Sequence, residues 1–134
     1  MDDVLAKWSS YIGEEDIDYL REFFSRANNY LPNDKILIIV GDERTGKTTL
    51  ISQLIEELGE TNVASISDFK LSAPLPKLFI INEQCKGKNK RLNQSVNNLI
   101  VFKQSMVYVG RFWKGVFNND IMDNSYTIQM THKF

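Results

Sequence analysis

The sequence predicts an α/β fold, with a central, mainly parallel sheet flanked by helices and one helix ahead of the sheet. Three observations carry that prediction. "KILIIV" (35–40) and "KLFIIN" (77–82) are apolar without alternation, as strands buried on both faces of a parallel sheet must be. Between them, Leu50, Leu54 and Leu58 share a stripe with Ile51 and Ile55, the spacing of an amphipathic helix. "GDERTGKT" joins the first run to that helix.

Taken in order, "EEDIDYLREFFSRANNYL" places Ile17, Leu20, Phe23, Phe24, Ala27 and Leu31 on one helix face, and Pro32 with Asn33-Asp34 ends it. The strand at 35–40 leads through the glycine-bearing loop into a helix starting at Lys47, which Gly59 caps. "NVASIS" (62–67) is a short strand candidate. The run at 77–82 follows Pro74 and Pro76. "RLNQSVNNLIVF" (91–102) has helical spacing but is rich in asparagine. "MVYVGRFW" and "SYTIQMTH" are β-type, the second alternating polar and apolar residues. The expected organisation is a helical lead-in over 1–34 and a nucleotide-binding core over 35–134, one domain in all.

Composition narrows the function classes. With 134 residues, 43% hydrophobic and 25% charged, the chain is long enough to bury a core. The net charge of −1 points to no class of partner, because local patches can differ from the sum. Cys85 is alone, so an internal disulfide is excluded and a reducing compartment follows. No apolar stretch reaches the roughly 18 residues of a membrane span. "MDDVLAKWSS" lacks the basic start and apolar core of a secretion signal. A soluble, intracellular protein without membrane contact is expected.

The loop has the spacing G-x-x-x-x-G-K-[ST] at 41–48. Gly41 lets the strand turn sharply, and Gly46 lets backbone N–H groups approach phosphate oxygens. Those groups and the N-terminus of the following helix offer positive potential to an anion. Asp42, Glu43, Arg44, Thr45 and Thr49 complete the predicted nucleotide-binding stretch. Lys47 is expected to reach the β- and γ-phosphates of ATP, and the Thr48 hydroxyl to ligate Mg²⁺. A buried strand before and an amphipathic helix after are the context that this motif needs, so a P-loop NTPase core is predicted.

Phosphoryl transfer to water needs a carboxylate to hold hydrated Mg²⁺ and to orient the water. Glu83, at the end of the second buried run, is the candidate, with Asn82 beside it as an uncharged metal helper. The lesser reading of Glu83 is that it merely caps the strand end. Asp68 is the lesser alternative, more simply a turn residue.

Three segments together resemble the superfamily 3 helicases, in particular the primase-helicase type of large DNA viruses and phages. "GDERTGKTTL" is similar to that family's phosphate loop. "LFIINEQCKGKNKRLNQSVNNLI" resembles its acidic strand and the segment that follows. "GRFWKGVFNNDIMDNSYTIQMTHKF" resembles the stretch in which an Arg, an aromatic and a Lys-Gly precede a β-hairpin, itself followed by a sensor strand. The resemblance implies an ATPase coupled to DNA unwinding or translocation in a homo-oligomeric ring, working where a virus replicates in its host cell. It carries Arg111 and Lys114 onto the family's DNA-contacting positions and His132 onto its catalytic sensor. Phe112 and Trp113, set between those two cations, suit stacking on bases, although either could be a core residue. "KGKNKR" (86–91) reads equally as a solvated loop or as a nucleic-acid contact.

Asn82 and His132 depart from the family's Asp and Asn. The family's arginine finger lies beyond its sensor strand, past the position of Phe134. The resemblance therefore implies either a longer natural chain or a shortened relative, with slow hydrolysis by these residues alone. Two other classes stay open. A nucleoside or nucleotide kinase shares the loop, but Arg111 is the only Arg after Arg91, so an Arg-rich lid segment is absent. A non-catalytic nucleotide- or DNA-binding module would explain both departures.

Overall fold

The computed structural model describes residues 1–66, 75–81, 89–111 and 116–134, excluding the side chains of 89–92. Asp68, Asn82, Glu83, Cys85, Phe112, Trp113, Lys114 and the side chains of the 86–91 cluster lie outside the described residues.

Strands β1 (Ile36–Val40), β2 (Val63–Ser65), β3 (Leu78–Ile81), β4 (Met106–Gly110) and β5 (Ser125–Gln129) form one sheet in the order β2-β3-β4-β1-β5. Every pairing is parallel. Strand β1 is buried along its whole length because helices cover both faces. Leu37 and Ile39 enter one core cluster, while Ile36, Ile38 and Val40 enter the other, the period of two that a pleated strand imposes. On the first face lie α1 (Asp2–Trp8), α2 (Glu14–Asn28) and α3 (Lys47–Leu58), through Leu5, Leu20, Phe23, Phe24, Leu50 and Leu54. On the second lie α4 (Asn89–Ile100) and α5 (Asn119–Asp123), through Val96 and Ile121. The chain runs one way along the sheet from β1 to β2 and back the other way through β3, β4 and β5. Right-handed crossovers then require α3 on one face and α4 and α5 on the other, as observed.

The strands at 35–40, 62–67 and 77–82 and the helices at 47–58 and 91–102 fall where the sequence places them, within a residue or two at most ends. The lead-in helix does not. It covers 14–28 instead of reaching 31, because Tyr30 adopts a left-handed conformation (φ 56°). The Leu31 N–H then donates to the Arg26 carbonyl at 2.8 Å, closing the helix before Pro32 can act. An additional helix, α1, precedes it.

The hairpin expected after Arg111 is a second correction. Among the described residues, 116–124 form a turn and α5 rather than paired strands. Asn118 caps α5, its side chain accepting from the Ile121 N–H at 3.0 Å. Strands β4 and β5 lie on opposite sides of β1 and so cannot pair with each other.

Buried contacts tie the lead-in to the sheet. The Asn33 amide donates to Ser105 Oγ at 2.7 Å and to the Phe23 carbonyl at 3.2 Å. Tyr19 stacks on Tyr126, with centroids 3.7 Å apart and planes within 4°. Tyr126 Oη donates to Asp16 Oδ1 at 2.7 Å. That hydrogen bond, aided by burial, pushes the Tyr126 phenol above its ordinary pKa. Among the described residues, no helix is long and apolar enough to cross a membrane.

Candidate nucleotide-binding site

In an open parallel sheet, ligands sit beyond the carboxyl ends of the strands, where connecting loops diverge. Residues 41–46 occupy that edge between β1 and α3, and the Gly41 N–H reaches the Gly110 carbonyl at the end of β4 at 3.3 Å. A side chain at 41 is excluded. A Cβ there would stand 2.7 Å from both the Met130 carbonyl oxygen and Thr45 Oγ1. Gly46 is left-handed (φ 81°, ψ 11°), the conformation in which an L side chain is strained. Arg44 is left-handed as well (φ 68°), so the backbone reverses its sense twice within three residues.

The loop is braced internally. The Asp42 carbonyl accepts from the Thr45 hydroxyl at 2.8 Å and from Lys47 Nζ at 3.2 Å. Thr45 is 2% exposed, so its hydroxyl serves the loop and not solvent. No side chain caps α3, so its first-turn N–H groups, which have no intrahelical partner in any helix, are left for a ligand or water at the loop. Thr48 and Thr49 begin the helix with exposed side chains. A glycine-lined backbone turn, an uncapped helix N-terminus and one lysine fit a phosphate chain, and the Thr48 hydroxyl fits a magnesium ligand.

Gly41, Asp42, Glu43, Arg44, Thr45, Gly46, Lys47, Thr48 and Thr49 are thus brought together as the motif requires. Arg111 stands exposed just past β4, at the same edge of the sheet. Strand β3 ends there too, at Ile81 opposite Tyr108, immediately before Asn82 and Glu83 in the chain. The His132 ring lies against Tyr11 (4.6 Å) and Phe134 (4.8 Å), so the contacts around it are aromatic.

Sequence reading did not foresee the neighbourhood of the loop. Trp8 and Tyr11, at the end of α1, meet Phe134 from the segment after β5. The Phe134 N–H donates to the Arg44 carbonyl at 2.8 Å, and Trp8 Nε1 donates to Gln53 Oε1 at 2.9 Å. Trp8 and Tyr11 lie more than 120 positions from Phe134 in the chain, and no periodicity links them. A tryptophan and a tyrosine three residues apart near the N-terminus were the one available signal.

No protein-family model and no curated protein matches this sequence. Solved structures do match its fold. A crystal structure of DnaI superposes with a TM-score of 0.58 at 14% identity, over 90% of this chain and 84% of that one. The T158V variant of RuvB from Thermotoga maritima gives 0.55 at 18% identity, and the R170A variant gives 0.52 at 20%. Each RuvB match covers 92% of this chain and 46% of the RuvB chain, so this chain spans less than half of RuvB's length. The fold is that of the P-loop NTPases.

Proposed function

We propose that this chain is a P-loop ATPase module of the DnaI and RuvB kind, binding Mg-ATP at 41–49 and acting on DNA as part of an oligomer. One observation carries the nucleotide claim: a glycine-turned loop with left-handed Gly46 opens an uncapped helix at the carboxyl edge of a parallel sheet. When bound, the nucleotide supplies a phosphoanhydride bond and Mg²⁺ neutralises its charge. Lys47 holds the β- and γ-phosphates, Thr48 and the segment with Asn82 and Glu83 hold the metal, and Glu83 orients water. The sensor role that the resemblance gives His132 is proposed with one condition: its ring, packed on Tyr11 and Phe134, would have to leave them to reach a γ-phosphate.

The finer reading, a viral-type superfamily 3 helicase ring, is supported by the later segments that resemble that family. Arg111 and Lys114 are its proposed DNA contacts. Lys47→Ala removes a charge-assisted hydrogen bond to phosphate, and affinity for a labelled ATP analogue should fall about 10- to 100-fold. Unchanged affinity would remove the assignment. Phosphate release that rises with single-stranded DNA supports the motor reading. Transfer of phosphate to an added nucleoside, without release to water, would make the protein a kinase instead.

A further inference from the structure

The cavity beside the phosphate loop has a volume of about 830 Å³ and is lined chiefly by Lys7, Trp8, Tyr11, Arg44, Gln53 and Phe134. We propose that it is the nucleobase subsite, which selects purines by ring area and tolerates either adenine or guanine. This rests on the phosphate-loop reading and adds to it the part of the ligand that the loop does not touch.

Four rings interlock there. Trp8 meets Tyr11 edge-on at 6.0 Å and Phe134 at 5.8 Å, and Tyr11 meets Phe134 at 4.9 Å. His132 closes the group. Trp8 is only 7% exposed and forms the floor, whereas Tyr11 and Phe134 are 40% and 58% exposed and form walls. Two large rings held in water beside an anion-binding loop are surface that a flat apolar ligand would cover. The volume lies within the range of small-molecule sites. Arg44 and Gly46 belong to both the loop and the cavity, so a molecule with phosphates on the loop delivers its base here across one ribose.

The polar lining argues against fine base discrimination. The Gln53 oxygen already accepts from Trp8. Lys7, Arg44 and the Gln53 amide are donors, the Thr49 and Tyr11 hydroxyls donate or accept alike, and N3 and N7 acceptors are common to adenine and guanine. Stacking on aromatic rings is tolerant of base identity but grows with ring area.

The test is calorimetric titration of the full chain with Mg-ATP, Mg-GTP, Mg-CTP and inorganic tripolyphosphate. ATP and GTP should bind within about fivefold of each other, and CTP and tripolyphosphate about tenfold or more weakly. Tyr11→Ala and Phe134→Ala should each weaken ATP binding about tenfold while leaving tripolyphosphate unchanged. Tyr11→Leu and Phe134→Leu keep apolar bulk should an alanine variant fail to fold, and they should lose the preference for purine over pyrimidine. ATP binding no tighter than tripolyphosphate, or wild-type ATP affinity in the folded variants, overturns the base subsite alone. Failure of every ligand to bind overturns the phosphate-loop reading, and this one with it.

Discussion

Gly46→Ala tests how tightly the phosphate loop is built into its surroundings. The new Cβ would stand 2.6 Å and 3.0 Å from two Trp8 ring atoms and 3.1 Å from Phe134 Cε2. Holding alanine in the left-handed conformation costs about 1–2 kcal/mol. Displacing a packed ring costs about 1–3 kcal/mol more. The expected destabilisation is therefore about 2–5 kcal/mol, no more than the low end of the total stability of a domain. Urea unfolding should show the midpoint falling with an unchanged slope. The same substitution in a Phe134→Ala background separates the two contributions. With Phe134 gone, the Trp8 ring has room to shift, and the penalty should shrink by about 1 kcal/mol while the backbone strain stays. A cost below about 1 kcal/mol, identical in both backgrounds within about 0.4 kcal/mol, would refute the reasoning, because the loop would then yield freely.

Asn33→Ala leaves the buried Ser105 hydroxyl without its partner and frees the α2–β1 turn, so stability should fall by about 1–3 kcal/mol in the same urea assay. Tyr126→Phe removes the hydrogen bond to Asp16 and should cost about 1 kcal/mol at neutral pH. The folded-state phenol titrates above its unfolded value, so the bond's contribution is complete below about pH 10 and fades as pH rises further. The stability gap between wild type and Tyr126→Phe should accordingly be constant below that pH and narrow above it. Glu83→Gln should keep ATP affinity and lose turnover, read by phosphate release. Intact turnover would move the catalytic carboxylate elsewhere, with Asp68 the next candidate.

What the sequence revealed follows from what its patterns physically report. Continuous apolar runs reported burial on both faces, and so the parallel strands at 36–40 and 78–81 were legible. The loop was legible because the lack of room for a Cβ at 41 and the left-handed backbone at 46 both call for glycine. The direction of the last strand was not. The alternation in "SYTIQ" reported that Thr127 and Gln129 face water while Ile128 is buried, which is true of a half-covered edge strand whether its neighbour runs parallel or antiparallel. The resemblance supplied a hairpin ahead of that strand, where the described residues 116–124 instead form a turn and α5. Helix α1 escaped notice because only two of its seven residues, Leu5 and Trp8, are buried, too few for a period to show.

Those two residues also explain why α1 belongs to the site. Leu5 lies wholly in the core between the helices and the sheet, which fixes the helix on α3. Trp8 then has one donor to satisfy, and Gln53, one turn beyond Thr49, accepts it. The same ring lies against Gly46, so the residue that must lack a side chain for phosphate to approach is also the residue a neighbouring tryptophan needs empty. From the opposite terminus, the Phe134 backbone binds the Arg44 carbonyl inside the loop. A ligand that fixes the loop must therefore also restrain α1 and the segment after β5. Binding to the folded state alone raises stability by mass action. Proteolytic or hydrogen-exchange protection on adding Mg-ATP should accordingly extend to 2–12 and 130–134. If protection stops at the loop itself, the aromatic group is structural packing and transmits nothing from the nucleotide.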